Sequence, residues 1–314
     1  MNLNQIILLT GASTGIGRAT AQHLDQLGYT VFAGVRREQD GAKLRKGASE
    51  RLRPILLDIT KPDDITSALA VVGQACGTTG LAALVNNAGY NYNAAFEFTD
   101  EAKARQMMEV NFFGLYKMSQ AFIPLLRQYA WSSGRRSKLI NIGSIGSILG
   151  FPWESFYHAS KFAVLGLTES LRYELRSQGI SVVAVLPGGI KTDFMPKTSD
   201  GIDAAIAAMT PEGKQLYGSG LTKMRSMISQ AVRFGSEPGK VARRIARVIE
   251  ANNPTMQYLV GPDARLFFGL ARVLPISWRH GLLRGQFVGR SDRANQTCKP
   301  SAVSGHTGEW IRDV

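Results

Sequence analysis

The chain has few of the residues that staple or charge a small scaffold. Its two cysteines, Cys76 and Cys298, stand far apart among 314 residues, which excludes a disulfide framework and points to a reducing compartment. Four scattered histidines, His23, His158, His280 and His306, show no metal-ligand spacing, so no metal is implied. No apolar run approaches the length of a membrane span, and Gln5-Ile6-Ile7-Leu8-Leu9 is too short and wrongly flanked for a signal peptide. It reads as a strand, and the expected location is the cytoplasm. Acidic residues are also scarce, 24 against 37 lysines and arginines, leaving a formal charge of +13. Much of that excess lies in one stretch, with Lys240, Arg243, Arg244, Arg247, Arg265, Arg272, Arg279, Arg284, Arg290 and Arg293 against Glu250, Asp263 and Asp292. No nucleic-acid recognition motif accompanies it, so a solvated basic face is expected and a nucleic-acid partner is not.

Hydrophobic residues make up 44% of the chain, enough for a large core, and no low-complexity linker divides it. One domain over residues 1–290 is expected. Short apolar runs predict strands at Ile6 to Leu9, Thr30 to Gly34, Arg53 to Leu57, Ala83 to Val85, Lys138 to Ile142, Val182 to Leu186 and Gln257 to Val260. Helical patterns fall between them, at Gly17 to Leu27, Asp63 to Cys76, Asp100 to Tyr129, Ser155 to Gln178 and Pro238 to Ala251. The alternation predicts an α/β fold, a Rossmann-type doubly wound sheet of seven parallel strands. Residues 191–235 lack a strand and carry Met195, Met209, Met224 and Met227, which suits a helical flap over a substrate site. A C-terminal helical extension follows at 261–290, then a polar tail, 291–314, whose composition suits disorder.

Between the first strand and first helix lies Thr10-Gly11-Ala12-Ser13-Thr14-Gly15-Ile16-Gly17. Glycines there let the backbone approach a pyrophosphate at the helix N-terminus, although the spacing departs from the common G-x-G-x-x-G pattern. At the end of the second strand stands Val35 instead of an acid, followed by Arg36 and Arg37. Valine cannot accept ribose hydrogen bonds, whereas Arg36, with Ser13 or Arg37, can clamp a 2′-phosphate, so NADP(H) is the expected cofactor. Asp58, with Ile59 beside it, ends the third strand and can accept from an adenine amino group. Asn86-Asn87-Ala88-Gly89 ends the fourth, its amides suited to tying strands and Gly89 to close cofactor approach.

Tyr157-His158-Ala159-Ser160-Lys161 puts a phenol and an ammonium one helical turn apart, where the cation would favour phenolate. Thirteen residues upstream, at a strand end, Ser144 offers a hydroxyl to steady a substrate oxygen. Asn111, inside the preceding helix, could hold a water that relays protons from Lys161. His158 falls on another helix face and is expected to pack rather than to act as an acid. Phe151, Trp153 and Phe156 are candidates for an apolar pocket wall.

These motifs, in this order and spacing, resemble the short-chain dehydrogenase/reductase family over roughly residues 5 to 285. The resemblance implies a catalytic tetrad of Asn111, Ser144, Tyr157 and Lys161, with Tyr157 and Lys161 also reaching the cofactor. It places Pro187, Gly188, Ile190 and Thr192 along the cofactor, with Ile190 and Thr192 at the nicotinamide carboxamide. Val260 to Ala264, Phe162-Ala163 and Glu169 to Leu175 are similar to the 17β-hydroxysteroid-dehydrogenase-like and retinol-dehydrogenase-like subgroup. That likeness implies a small hydrophobic alcohol or carbonyl substrate, such as a steroid, retinoid or other lipid-like compound. It also implies a homodimer or homotetramer built through the helices at 100–129 and 155–178. The alternatives are a catalytically silent NADP(H)-binding regulator, a 3-oxoacyl-type reductase, and a sugar-nucleotide epimerase. The epimerase is disfavoured by the glycine spacing and the lack of a sizeable C-terminal domain. Leu266, Phe267, Phe268, Leu270, Val273, Leu274, Ile276 and Trp278, interleaved with Arg265, Arg272 and Arg279, would allow membrane contact. Packing over the pocket or a partner subunit is expected instead.

Overall fold

The computed structural model describes residues 5–192 and 194–287. Its strands are β1 (Ile6–Leu9), β2 (Thr30–Val35), β3 (Leu52–Leu56), β4 (Ala83–Asn86), β5 (Ser137–Ile142), β6 (Ile180–Pro187) and β7 (Gln257–Val260). The helices are α1 (Gly15–Gln26), α2 (Glu38–Arg45), α3 (Pro62–Cys76), α4 (Glu101–Met108), α5 (Leu115–Ser133), α6 (Ser155–Glu174), α7 (Phe194–Ala207), α8 (Pro211–Phe234), α9 (Pro238–Glu250), α10 (Pro262–Val273) and α11 (Ile276–Phe287). All strand pairs are parallel, in the order β3-β2-β1-β4-β5-β6-β7. The order reverses between β1 and β4, and it is outside the carboxyl ends of strands at such a switch that ligands bind.

Side-chain alternation explains the two layers of helices. Ile7 and Leu9 of β1, with Val31, Ala33 and Val35 of β2, enter one core against Leu24 of α1, Leu44 of α2 and Val241 and Ile245 of α9. Ile6, Leu8 and Phe32 point the other way, against Ile65 and Val72 of α3 and Met118, Phe122 and Leu126 of α5. Helix α9 shows the matching pattern, with Val241, Ala242, Ile245, Ala246, Val248 and Ile249 buried and Arg243 and Arg247 exposed. A third cluster joins the flap helices, through Ile202, Met209, Leu221, Met224 and Ile228, to Ala95, Phe98, Phe151 and Trp153.

All seven predicted strands are present; β1 and β7 keep their predicted bounds, and those of the other five move by one or two residues. The single helix predicted over 100–129 is instead α4 and α5 joined by a π-helical turn at Glu109–Gly114. Helix α6 stops at Glu174, and a short turn, Arg176–Gln178, leads to Gly179 in the left-handed region. Cys76 is buried, and burial pushes its thiol up to about 12, so it is chemically quiet. Cys298, His306, Arg290, Asp292, Arg293 and the tail at 291–314 lie outside the described residues.

Candidate active site

The glycine loop leaves β1 and enters α1 without a side-chain cap at Thr14, so the first N–H groups of α1 are free to meet an anion. Gly11 has φ +67, and a Cβ on Gly17 would fall 2.1 Å from the Gly11 carbonyl oxygen, so neither position admits a side chain. The Asn-Asn-Ala-Gly turn holds this loop in place. Thr10 Oγ1 accepts from the backbone N–H groups of Asn87 and Ala88, each at 3.0 Å, while Asn87 Nδ2 donates to the carbonyls of Thr10 and Gly11. Asn86 Nδ2 reaches sideways to Ser119 Oγ and Asn141 Oδ1, both at 3.0 Å. Ala88, Ser13 and Ile16 lie along the same cradle, and Thr192 closes it by packing on Gly15.

At the end of β2, Val35 is buried while Arg36 and Arg37 are exposed. Arg37 Nε is paired with Asp40 Oδ2 at 2.9 Å, whereas Arg36 has no ion-pair partner among the described residues. Asp58 Oδ1 accepts from the backbone N–H and hydroxyl of Thr60, at 3.0 and 2.7 Å. Burial alone would raise its carboxyl, but the Thr60 hydrogen bonds, with Arg36 and Lys61 nearby, together hold it below the ordinary carboxylate range. Ile59 is buried against Gly114. Pro187 ends β6, and Ile190 is buried, bridged to Ser236. Between them Gly188 donates its N–H to the Val260 carbonyl, and Gly189 donates its own to Asp263 Oδ2 at 2.6 Å.

Two of the four candidate catalytic residues, Asn111 and Lys161, meet at Gly89. A Cβ there would lie 3.1 Å from Asn111 Oδ1 and 3.6 Å from Lys161 Nζ. Asn111 sits on the π turn, nearly sealed from solvent, and grips the Tyr90 backbone from both sides, accepting from its N–H and donating to its carbonyl at 2.9 Å each. Its Nδ2 also donates to Ser160 Oγ at 3.1 Å, tying the turn to α6. Lys161 is buried, its Nζ donates to the Ile142 carbonyl at 3.0 Å, and burial brings it down to about 8.

Ser144 opens a short turn, Ile145–Ser147, in which its Oγ accepts from the Gly146 N–H at 3.0 Å and Ser147 Oγ accepts from the Ser144 N–H. The Ser144 hydroxyl also bonds the Tyr157 phenol. The expectation that Lys161 draws the phenol down is corrected here. Burial pushes Tyr157 up to about 12, the Ser144 bond works against that rise, and Glu154 adds to it. The Lys161 ammonium is turned to the Ile142 carbonyl and lies 5.8 Å from the centre of the phenol ring.

Sequence reasoning missed the supports of this set. His158 is buried, as a packing residue should be, but both ring nitrogens are engaged. Nε2 accepts from the Phe151 N–H at 2.9 Å, so Nδ1 carries the hydrogen and donates to the Gly146 carbonyl at 3.0 Å. Glu154 accepts from the side-chain amides of Asn91 and Asn93 and lies 3.4 Å from His158 Nε2. No motif signals these contacts, because they depend on the shape of the loop at 145–154.

The apolar wall is partly as expected. Phe151 packs edge-on against Phe267 of α10 at 5.8 Å, and Trp153 meets Tyr217 of α8 in the same manner. Trp153 has φ +69, a strained conformation for a non-glycine residue and one that recurs at functional sites. Phe156 instead stacks on the exposed Phe96.

A dinucleotide cradle facing a half-buried Ser and Tyr with a buried Lys beside them is the site of an oxidoreductase. Comparison with known proteins agrees: the short chain dehydrogenase family matches residues 5–203. Estradiol 17-beta-dehydrogenase 2 of Mus musculus is 37% identical, over 86% of this chain and 72% of that protein. The 3-ketodihydrosphingosine reductase of Bacteroides thetaiotaomicron is 31% identical, over 85% and 92%. A short-chain dehydrogenase structure from Streptomyces avermitilis superposes with a TM-score of 0.71 at 27% identity, covering 93% of this chain and 98% of that one. The chain belongs to the short-chain dehydrogenase/reductase family, in its hydroxysteroid-dehydrogenase-like subgroup, whose members are alcohol/carbonyl oxidoreductases using a nicotinamide cofactor.

Proposed function

We propose that the chain is an NADP(H)-dependent oxidoreductase that interconverts a hydroxyl and a carbonyl on a hydrophobic, steroid-like or other lipid-like substrate. The observation that carries this reading is the Ser144 hydroxyl, set between the Gly146 N–H and the Tyr157 phenol with Lys161 buried one turn away. Bound nicotinamide supplies or accepts the hydride. Ser144 holds the substrate oxygen, and Tyr157 passes a proton to it in reduction or takes one in oxidation. A phenol kept protonated by burial carries the proton that reduction requires, and the NADP(H) preference favours reduction as the working direction. Lys161, near 8, can lose and regain a proton close to neutrality, and Asn111 across Gly89 places an amide beside that relay.

The cofactor preference rests on Arg36. Among the described residues it has no ion-pair partner, it stands where an acidic residue would otherwise meet the ribose, and a guanidinium there suits a 2′-phosphate. Asp58 keeps its second carboxylate oxygen for the adenine amino group, and Ile190 and Thr192 flank the nicotinamide end. The Phe151 and Trp153 wall, under the methionine-bearing flap, suits an apolar substrate, and the similarity to an estradiol dehydrogenase favours a steroid-like one. A long-chain ketone is the second reading, favoured by the similarity to a ketosphingoid reductase across most of that protein's length.

Turnover of steroid, retinoid, sphingoid and small aromatic ketones with NADPH and NADH tests both parts. Tyr157→Phe should lower kcat by at least about a hundredfold, the usual scale for losing a general acid. Arg36→Ala should raise the KM for NADPH roughly ten- to a hundredfold, from lost charge-assisted bonds, and leave that for NADH nearly unchanged. Tight NADPH binding without turnover of any ketone would favour the silent regulator, and equal use of both cofactors would overturn the role of Arg36.

A further inference from the structure

Helix α10 has two faces with different fates. Its inner face is committed to the site: Ala264 is buried, Phe267 packs on Phe151, and Asp263 accepts the Gly189 N–H. Its outer face carries Leu266 and Val273, seven residues apart on one stripe and 61% and 80% exposed, with Leu270 between them. At the start of α11, Ile276 and Trp278 are likewise 62% and 68% exposed. A contiguous apolar surface of this kind marks an interaction site.

Beside the stripe lies a groove of about 430 Å³ that pairs arginines with rings. Arg244, Arg265 and Arg272 line it with Tyr258, Leu259 and Phe268, Arg244 lying 5.3 Å from the Tyr258 ring and Arg272 5.6 Å from that of Phe268. None of the three arginines forms an ion pair among the described residues, and the groove has no acidic residue in its lining. On the helix, Arg265 and Arg272 flank Leu266 and Val273, so cation and apolar surface face outward together.

We propose that α10 and the start of α11 dock this protein on an anionic lipid bilayer. Leu266, Leu270, Val273 and Trp278 enter the interface, and Arg244, Arg265 and Arg272 take lipid phosphates. The chemistry of both halves of the surface fits an amphiphile. A second copy fits poorly, because a two-fold contact along the stripe would set the arginines of one chain against those of the other. Among the described residues no helix is long and apolar enough to cross a membrane. Because the inner face of α10 touches the Pro187–Thr192 loop and Phe151, docking sets the cleft against the surface into which apolar substrates partition. That last consequence rests on the hydrophobic-substrate reading, and the docking itself does not.

Flotation of the full chain with phosphatidylcholine/phosphatidylserine vesicles, compared with phosphatidylcholine alone, tests the docking without any substrate. Binding should be at least about tenfold greater on the anionic vesicles and should fall as salt rises. The double variants Leu266→Glu/Val273→Glu and Arg265→Glu/Arg272→Glu should each lose it at least about tenfold, with thermal midpoint and elution volume unchanged. Three results would overturn the proposal: no flotation at low salt, equal binding to neutral vesicles, or a wild-type dimer that the leucine/valine variant converts to monomer. The last would assign the stripe to a second copy.

Discussion

Glu154 shows how a neighbour sets the working range of a catalytic group. Its carboxylate raises the Tyr157 phenol further while the Ser144 hydroxyl opposes burial, so the two act in opposite directions on one proton. Oxidation of an alcohol needs the phenol deprotonated, so its rate climbs with pH through the tyrosine's titration. Glu154→Gln removes the raising charge and keeps an acceptor for Asn91 and Asn93. The alkaline limb of kcat/KM for oxidation should therefore move to lower pH. Ser144→Ala removes the opposing bond and should move the limb to higher pH, on top of a loss in rate. Superimposable pH profiles for all three proteins would sink this account. At this scale the closeness of Tyr157 and Lys161 was legible, because a Tyr and a Lys four residues apart on a helix must share a face. His158 was legible only as packing. Its grip on Gly146 and Phe151 is set by a loop whose course no residue pattern reveals.

The elements were legible where apolar runs are continuous and less so where packing bends them. β1 and β7 match their predicted spans because each is a short, mostly apolar run paired in a parallel sheet. The π turn at 109–114 was not visible, since its sequence reads as ordinary helix. It forms where Asn111 must reach the Tyr90 peptide and Gly114 must pass close over Ile59. The N-terminus of α10 holds a similar hidden contact. Asp263 reads as a first-turn acid favoured by the helix dipole, yet it spends Oδ2 on the Gly189 N–H in the loop that follows β6. Asp263→Ala should cost about 1.5–3 kcal/mol of stability, the range for a hydrogen bond to a charged group. It should also raise the cofactor KM severalfold by loosening Pro187–Thr192. Asp263→Asn, which keeps an acceptor oxygen, should recover most of the KM. Calorimetry and initial rates on the two variants separate the effects, and an unchanged KM in the alanine variant would confine Asp263 to a role in stability.

For the whole molecule, the strand–helix alternation made the doubly wound sheet legible, because parallel strands need crossover helices and those crossovers are right-handed. What the alternation leaves out is the cost of building a site inside that core. Lys161 is 7% exposed and lowered from 10.5 to about 8, so the folded chain disfavours its charged form. The sign follows from proton counts. Between about 8 and 10.5 the unfolded chain holds more of this proton than the folded one, so this group makes stability rise with pH across that window. Below it both states are protonated and the penalty is complete; above it both are neutral and the penalty is gone. Lys138, also lowered to about 8 by burial and by Arg135 and Arg136, titrates in the same window, so wild type alone cannot isolate Lys161. The difference between wild type and Lys161→Met can, since Lys138 is common to both. Losing the bond to the Ile142 carbonyl shifts the variant by an amount independent of pH, whereas the titration of Lys161 gives the difference a slope. Urea unfolding of the cofactor-free proteins from pH 7 to 10.5 should therefore show wild type gaining on the variant as pH rises. A difference that stays flat would mean that Lys161 keeps an ordinary lysine's affinity for its proton, and its part in the proton relay would have to be assigned elsewhere.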